Sequence, residues 1–245
     1  LDIANPPESV NGMCHSCGHN AQAATMLGLA ATLKTDPSIL DGLSGKIRLM
    51  LVPAEEMIQL AFRSNLIKEG TISYMGGKVE FLHRGYFDGV DLALMVHSGN
   101  LGDKYDFSCG QGNNGCMAKV ITYKGKSSHA GGAPHEGINA QYAAMLGLQA
   151  CNDLRETLQE KDTIRFHPIM KGVNCAVNII PDEMVIESYV RGSNIEAMKR
   201  ENKKFNRALA GAAAAIGCEL HIDDKPGYSP EIHDVAYMQL VEEVC

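Results

Sequence analysis

Hydrophobic and polar positions in the first half of the chain switch between helix-like and strand-like patterns. Residues 20–34 carry apolar side chains at helical spacing and predict a helix. Two near-continuous apolar runs, Lys46–Val52 and Asp91–Val96, predict buried strands. Strands and helices that alternate in this way are typical of an α/β layer with a mostly parallel sheet.

The second half of the chain predicts a separate set of elements. It follows the loop-like segment Gln111–Gly115, where we place a domain boundary. The predicted elements are a strand at Cys116–Tyr123, a helix at Asn139–Gln159, strands at Ile164–Met170 and Glu183–Arg191, a helix at Asn194–Ile216 and a strand at Cys218–Ile222. This β-α-β-β-α-β order is that of a ferredoxin-like sandwich.

The end of the chain predicts a return to the first domain. A turn is predicted at Lys225–Gly227, and a further helix is predicted near His233. The expected domains are therefore residues 1–114 together with 225–245, and an inserted domain of residues 115–224.

Composition excludes several classes of protein. The 245 residues are 45% hydrophobic and 21% charged, as in ordinary globular proteins. The net charge of −7 gives no support to a nucleic-acid partner, and no apolar run approaches the ~20 residues of a membrane helix.

The cysteines and the amino terminus provide information on the cellular compartment of the protein. The eight cysteines lie mostly in apolar runs of a chain too large to need disulfides, which predicts reduced thiols and a cytoplasmic protein. The segment Leu1–Asn5 has neither an initiator Met nor the features of a signal peptide, so we expect the sequence to begin inside a longer protein.

The segment His15-Ser16-Cys17-Gly18-His19 contains candidate metal ligands. Thiolate and imidazole suit zinc and similar divalent ions, and a glycine between them allows the tight bend that would bring both to one site. A buried cysteine beside a surface histidine is the structural alternative. Cys14 and Cys17 also form a C-x-x-C pair, but no second pair follows and the preceding segment is loop-like, which disfavours a zinc ribbon or a thioredoxin-like site.

Polar residues follow both predicted strands of the first half. Glu55 and Glu56 come directly after the first strand, and His97 follows the second, where α/β sheets place their functional sites. A solvated acidic pair and a core histidine are the simpler interpretations. Soft ligands, a glutamate pair and a strand-end histidine together indicate a hydrolytic site with two metal ions ~3.5–4 Å apart.

These motifs together resemble the aminoacylase and carboxypeptidase-type amidohydrolases, metallopeptidase family twenty. The matching segments, in the family's order, are Cys17–His19, Pro53–Glu56, His97, Ser127–His135 and Val177–Pro181. The opening Leu1-Asp2 and the run Asn20-Ala21-Gln22 are most similar to the aminobenzoyl-glutamate hydrolase branch. The resemblance implies a zinc-peptidase-like α/β catalytic domain, incomplete in this chain, with an inserted ferredoxin-like lid that also forms a homodimer.

The resemblance also implies roles for individual residues near the amino terminus. It implies two divalent ions, zinc or manganese, held by Cys17, His19, Glu56 and His97. Glu55 matches the general base that takes a proton from the attacking water and passes it to the leaving amine. Asp2 matches a supporting acid in the family's first motif.

Three further matches fall in the inserted domain. His129 matches a histidine that reaches the partner subunit's active site and stabilises the developing oxyanion. Asn178 and Arg191 match lid positions that contact substrate, although Arg191 could equally be an ordinary strand-end surface residue. The family's strands before Asp2 and its last metal-ligand histidine have no match here, and His233 stands in the wrong context to replace that ligand.

The predicted function is metal-dependent hydrolysis of an amide bond in a small molecule. The expected substrate is an N-acyl amino acid, an aminobenzoyl-glutamate-like compound or a dipeptide. The first alternative is a peptidase proper with the same metal chemistry. The second is a non-catalytic binding or regulatory protein that keeps the fold. The intact Glu55-Glu56 pair favours an enzyme, because a binding protein needs no base beside a ligand.

Overall fold

Contacts within the computed structural model divide the chain into two units. The structure describes residues 17–99, 106–110, 112–172 and 176–245. The first unit comprises the described residues up to Gln59 and the segment Gly76–Ser108, and the second comprises Leu60–Met75 and Cys109–Cys245. The contacts place residues 60–75 and 225–245 in the second unit, and the boundaries expected from the sequence stay predictions.

Helices are the regular elements in the described part of the first unit. Helix α1, His19–Thr35, matches the predicted helix, and the short helix α3 covers Gly77–His83. The strand predictions for Lys46–Val52 and Asp91–Val96 are wrong, because neither segment has a ladder partner among the described residues. Backbone amides and carbonyls form a strand only when a neighbouring chain segment pairs with them. Most apolar side chains of both runs are accordingly exposed, Leu92 by 68% and Leu51 by 54%.

An antiparallel sheet organises the second unit. Its described strands are β1 (Gly115–Lys124), β2 (Arg165–Phe166), β3 (Ile169–Gly172), β4 (Glu183–Gly192) and β5 (Glu219–Tyr228). They lie in the order β2-β4-β1-β5, β3 also pairs with β4, and each of these pairings is antiparallel. The mostly parallel sheet was predicted for the first half of the chain, and the described residues of that half contain no strands.

The helices described in the second unit are α2 (Leu60–Lys68), α4 (Ala140–Asp153), α5 (Ile195–Ile216) and α6 (Val235–Val244). The Asn139 side chain caps α4, and the Asn194 side chain caps α5 by accepting a bond from the Ala197 amide at 2.7 Å. Gly217, with φ 87°, ends α5 in the left-handed conformation that glycine favours. The order of strands and helices follows the sequence prediction, except that one predicted strand is divided into β2 and β3.

Two boundaries in this unit differ from the predicted ones. Helix α4 ends at Asp153, and a short 3₁₀ turn at Leu154–Thr157 follows where the helix was predicted to continue. Strand β5 continues through the predicted turn at Lys225–Gly227 to Tyr228. Pro226 is tolerated there because β5 is an edge strand whose register shifts next to this position.

One face of the sheet packs against α4 and α5. Ile121 of β1 lies directly opposite Ile186 of β4, and both are fully buried in this core. The Tyr123 hydroxyl is also buried and donates to the Leu209 carbonyl at 3.0 Å, and burial raises the pKa of this tyrosine. Helix α4 crosses the ring at Gly147, where an added Cβ would overlap the Tyr123 hydroxyl and lie 3.2 Å from Leu209 Cδ2.

Replacing Gly147 by Ala is therefore expected to destabilise the protein by about 1–3 kcal/mol, the usual cost of overpacking a core. Gly211→Ala on α5 is the matched control, because nothing lies within 4 Å of the Cβ it adds. That change should leave stability unchanged or raise it by up to ~1 kcal/mol, since alanine favours a helix more than glycine does. Urea denaturation of both variants measures the difference, and equal midpoints would contradict the close approach at Gly147.

A buried polar cluster lies in the same interface. Lys119 of β1 is completely buried and contacts Asp224 of β5 and Asn206 of α5 through its ammonium group. Asp224 also accepts bonds from the Asn202 and Asn206 amides at 2.7 and 2.9 Å. Burial lowers the pKa of Lys119, and the Asp224 carboxylate opposes that change. The lysine is thus held in the core by a partner for its charge.

Helix α2 contacts the opposite face of the sheet. Val120 lies across from both Glu187 and Asp223, one residue along β1 from the core-facing Ile121. The Ala61 amide donates to Glu187 at 3.2 Å, and the Ser64 hydroxyl bonds Asp223. Burial alone would raise the pKa of Asp223, but its bonds with Ser64 and Lys225 lower that pKa overall.

The described residues also bear on disulfides and membrane spans. The described cysteines for which a state is assigned are all free thiols, with Cys116 and Cys151 buried, as predicted, and Cys218 half-buried. Burial raises the pKa of Cys151 to about 12. Within the described ranges, no helix has the length and apolar character required to cross a bilayer.

Candidate metal centre

A tight turn before α1 carries the first two candidate ligands. Cys17 and Gly18 both have left-handed backbone, with φ 52° and 74°. A Cβ at Gly18 would overlap the Ser98 hydroxyl and lie 3.0 Å from Ser98 Cβ, so the close approach requires glycine. Non-glycine residues in this conformation are uncommon and cluster at functional sites, which makes Cys17 notable on backbone grounds alone.

Four candidate ligands converge at this turn. One ligand atom each from Cys17, His19 and Glu56 lie within 4.8 Å of one another, and the His19 Nε2 to Glu56 Oε1 distance is 3.4 Å. The Cys17 Sγ lies 3.4 Å from His97 Nε2. Three chain segments far apart in sequence thus bring a thiol, two imidazoles and a carboxylate together. Their roles as ligands stay a prediction.

A backbone carbonyl orients His97. The ring's Nδ1 lies 2.7 Å from the Ser98 carbonyl, which can only accept a hydrogen bond. The proton therefore resides on Nδ1, and the Nε2 lone pair is directed towards Cys17. The chain before His97 is held as well, because the Gln22 amide donates to the Val96 carbonyl at 2.6 Å. Metal-ligating histidines characteristically have such a partner on their second nitrogen.

The cluster fits a divalent metal ion. Sulfur, nitrogen and oxygen ligands lie ~2.0–2.3 Å from zinc, so two ligands of one ion are up to ~4.6 Å apart. The observed limit of 4.8 Å is within a few tenths of an ångström of this separation. Partial burial, followed by the Glu56 carboxylate, raises the pKa of the Cys17 thiol. A bound cation would oppose that effect, because its charge favours the thiolate.

Glu55 has different partners from its neighbour. Its carboxylate accepts a bond from the Lys78 amide at 2.9 Å and pairs with the Lys78 ammonium group. Lys78 lies in the first turn of α3, where backbone amides have no partner within the helix. No sequence pattern indicated this contact, because Lys78 is 23 residues from Glu55 and belongs to no motif. The result is a carboxylate with a fixed orientation beside the ligand cluster.

The other predicted site residues are placed as follows. Asp2 lies outside the described residues. His129 is exposed, forms a β-bridge with Ile179, and is next to Asn178, whose carbonyl accepts the Ala130 amide at 2.9 Å. The structure therefore brings His129 and Asn178 together.

Arg191 lies in a different setting, near the end of β4. Its exposed guanidinium lies 5.2 Å from the centre of the Tyr189 ring. Directly across the sheet, β2 places Arg165 opposite it, a pairing that the sequence did not predict. Two like charges in this register are unfavourable unless an anion or solvent separates them.

A family comparison matches the second unit. Residues 111–216 fit the family model described as the peptidase dimerisation domain of the M20 peptidases. This chain carries an M20 dimerisation domain. The matched range includes β1 to β4 with α4 and α5, and the resemblance to metallopeptidase family twenty is confirmed.

Relatives of M20 type extend the similarity beyond this domain. The chain is 30% identical over 222 residues to an Xaa-Arg dipeptidase of Mus musculus, covering 89% of the chain and 45% of the relative. It is 28% identical over 207 residues to a p-aminobenzoyl-glutamate hydrolase subunit of Escherichia coli (strain K12), covering 84% of the chain and 42% of the relative. The chain spans about half the length of the curated relatives it matches. One relative is named a dipeptidase and the other a hydrolase of p-aminobenzoyl-glutamate.

A solved structure supports the fold. The chain resembles a putative aminohydrolase from methicillin-resistant Staphylococcus aureus with a TM-score of 0.67 and 23% identity. The match covers 99% of this chain and 62% of that protein. The mixed α/β fold of this chain is thus one that also occurs in a solved structure.

Proposed function

We propose that the protein containing this chain is a metal-dependent amidohydrolase. The observation that supports this most is the convergence of Cys17, His19 and Glu56, with His97 beside them and Glu55 adjacent in sequence. A purely structural metal clip would not require a second carboxylate held in a fixed orientation beside its ligands. The names of the M20 relatives support the same class of reaction.

Cys17, His19, Glu56 and His97 would hold two divalent ions, with zinc or manganese expected from the donor set. When bound, such ions lower the pKa of water to ~7 and so supply a nucleophile at neutral pH. Asp2 is proposed as a supporting acid near these ligands.

Glu55 is proposed as the general base. Its carboxylate would accept the proton of the attacking water and deliver it to the leaving nitrogen when the amide bond breaks. Lys78 would keep that carboxylate oriented during the transfer, since it contacts the carboxylate through both its amide and its ammonium group.

The second unit is proposed to supply the remaining contacts to the reacting amide. His129 would donate a hydrogen bond to the carbonyl oxygen as negative charge develops on it. Asn178, next to His129, would contact the acyl portion, and Arg191 would pair with a carboxylate of the substrate. The proposed substrates are N-acyl amino acids, aminobenzoyl-glutamate-like compounds and dipeptides, because each places a free carboxylate near the scissile amide.

The proposed architecture follows the family. Residues 1–114 and 225–245 would contribute to a catalytic domain, and residues 115–224 would form a lid and dimerisation domain. A cytoplasmic location, with neither nucleic acid nor membrane as a partner, stays the expectation from the sequence.

Removal of metal tests the proposed function directly. The full-length protein should hydrolyse N-acyl amino acids, aminobenzoyl-glutamate or dipeptides, lose this activity in a chelator, and regain it when zinc or manganese is returned. Parallel assays on these substrates separate an amidohydrolase from a peptidase proper. Metal binding without turnover of any of them would instead support the non-catalytic alternative.

A second copy of the chain is the proposed partner. Helix α4 exposes Tyr142, Met145 and Leu146, which recur at helical spacing on one side, by 60%, 51% and 43%. Strand β3 pairs with β4 and exposes Ile169 and Met170. Apolar side chains so grouped indicate an interaction surface, and the family description specifies dimerisation.

Introducing a charge on this helix should weaken the dimer. Met145→Glu is expected to shift the protein towards monomer by at least tenfold in dissociation constant, because the carboxylate would be desolvated in the interface. Sedimentation velocity over a concentration series measures the shift. Gln149→Glu, one turn further along α4, adds the same charge at a polar position and should have a smaller effect. Equal dimerisation of Met145→Glu and wild type would exclude this face.

A further inference from the structure

The ring of His129 accepts two backbone hydrogen bonds at one nitrogen. The amide nitrogens of Gly131 and Gly132 lie 3.2 and 2.8 Å from His129 Nδ1. A backbone N–H can only donate, so the Nδ1 lone pair must be the acceptor. The neutral ring then carries its single proton on Nε2.

The loop that supplies these amides is held on both sides of the histidine. The Ala133 amide donates to the His129 carbonyl at 3.0 Å, which closes the turn around the ring. The Ala130 amide donates to the Asn178 carbonyl, and the Ile180 amide donates to the Ser128 carbonyl, each at 2.9 Å. These bonds hold the backbone on both sides of His129 against the segment that contains Asn178 and Ile180.

The two glycines act through their amides and not through their lack of a side chain. An added Cβ would lie 3.4 Å from Nδ1 at Gly132 and 3.5 Å from Cε1 at Gly131, and both are ordinary contact distances. Neither glycine has positive φ. Alanine therefore fits both positions and keeps the donor, whereas proline at position 132 removes it.

We propose that Gly131 and Gly132 are positioning residues that lock His129 as an Nε2–H hydrogen-bond donor. Nε2 already holds a proton, and a proton on Nδ1 would face two N–H groups and break both bonds. The locked ring can donate to an oxygen that gains negative charge, but it cannot serve as a proton acceptor. This inference rests on the proposed amidohydrolase function and assigns His129 one of two roles that histidine can take in hydrolysis.

The lock itself is tested without any activity. In protein labelled with ¹⁵N-histidine, long-range proton–nitrogen correlation of the neutral ring should show a protonated Nε2 and an unprotonated Nδ1 for His129. His129→Asn places an amide oxygen near the position of Nδ1 and should preserve slow exchange of the Gly131 and Gly132 amides. His129→Gln, whose amide reaches the position of Nε2, should lose that protection. A proton found on Nδ1, or equal protection in both variants, overturns the lock.

The catalytic consequence is tested in the full-length enzyme. Gly132→Pro should lower kcat on the order of tenfold or more, with little change in KM. This loss is smaller than the ~10²–10³ expected when the donor itself is removed. Gly132→Ala keeps the amide and should retain kcat within about twofold. Proline can also disturb the loop, so the double variant Gly131→Ala/Gly132→Pro is compared with His129→Asn. His129→Asn keeps an acceptor for the two backbone amides but lacks the Nε2 donor, and it should therefore be the slower enzyme. Full kcat in Gly132→Pro with a disrupted lock overturns the positioning role.

The two proposals fail in different ways. An enzyme that cleaves no amide substrate even with metal would contradict the proposed function, yet the nitrogen correlation would still establish or exclude the lock. An active enzyme whose His129 carries its proton on Nδ1 would contradict only the positioning by Gly131 and Gly132.

Discussion

Glu55→Gln is expected to lower kcat by ~10²–10⁴ in the full-length enzyme while leaving the metal content nearly unchanged. Glutamine matches glutamate in size, and its amide oxygen can still accept one of the two bonds from Lys78. It cannot accept the proton of the attacking water. Glu56→Gln should instead reduce metal content, because the Glu56 carboxylate lies 3.4 Å from His19 within the candidate ligand cluster. Metal analysis and an amidase assay on both variants separate a base from a ligand.

An exposed carboxylate of the second unit supplies the control for this pair. Glu219→Gln removes an exposed carboxylate at the start of β5 and should change neither metal content nor rate. If Glu55 and Glu56 were ordinary solvated surface residues, all three variants would have the metal content and rate of wild type. Full turnover of Glu55→Gln with metal bound would show that another group is the base.

Mixing two inactive variants is expected to restore activity if His129 serves the partner's site. His129→Ala alone should cost ~10²–10³ in kcat, the usual effect of removing one oxyanion donor. After subunit exchange with Glu55→Gln, half of the dimers are mixed, and each mixed dimer has one site with both residues intact. Roughly one quarter of wild-type activity should therefore return. Pure Glu55→Gln and pure His129→Ala, carried through the same exchange, give the background.

The outcome of the mixing experiment depends on whether Glu55 and His129 of one site come from two protomers or from one. Had both residues come from one protomer, every site in a mixed dimer would lack one of them, and no activity would return. The Met145→Glu variant provides a further check, because weakened dimers should lower the recovered fraction in the same proportion.

The second unit was predictable from the sequence because its patterns are local. The alternating pattern of Met184–Val190 indicated β4, and the amphipathic run Asn194–Ile216 indicated α5. The predicted limits of β1, β4 and α5 differ from the observed ones by one residue at most. Boundaries set by tertiary context were less accurate, as β5 shows: an edge strand accommodates Pro226, which sequence alone indicated as a turn.

The first unit was less predictable because buried strands depend on distant partners. The runs Lys46–Val52 and Asp91–Val96 have the composition of strands, but composition does not supply the neighbouring backbone that a ladder needs. Residue chemistry was more informative than periodicity there. Cys17, His19, the Glu55-Glu56 pair and His97 were chosen for their ligand atoms, and the resemblance singled out Glu56 as the ligand of that pair. The structure groups the atoms of Cys17, His19, Glu56 and His97 although the predicted strands are absent from the described residues.

The partners that orient the candidate site could not be predicted. Lys78 is an unremarkable lysine in sequence, and its contact with Glu55 arises from the position of α3. The amides of Gly131 and Gly132 carry no side-chain information at all. A motif specifies which groups react, whereas their orientation depends on backbone geometry that sequence patterns do not encode.

The buried lysine of the second unit also provides a way to observe its opening. An amine-specific reagent cannot reach Lys119 while α5 covers the sheet, because the side chain is wholly enclosed. Lys199, on the outer side of the same helix, has 56% of its side chain exposed and reacts in the folded protein. The ratio of modification at these two lysines therefore reports how often α5 separates from the sheet, with the exposed amine as an internal reference for reagent concentration.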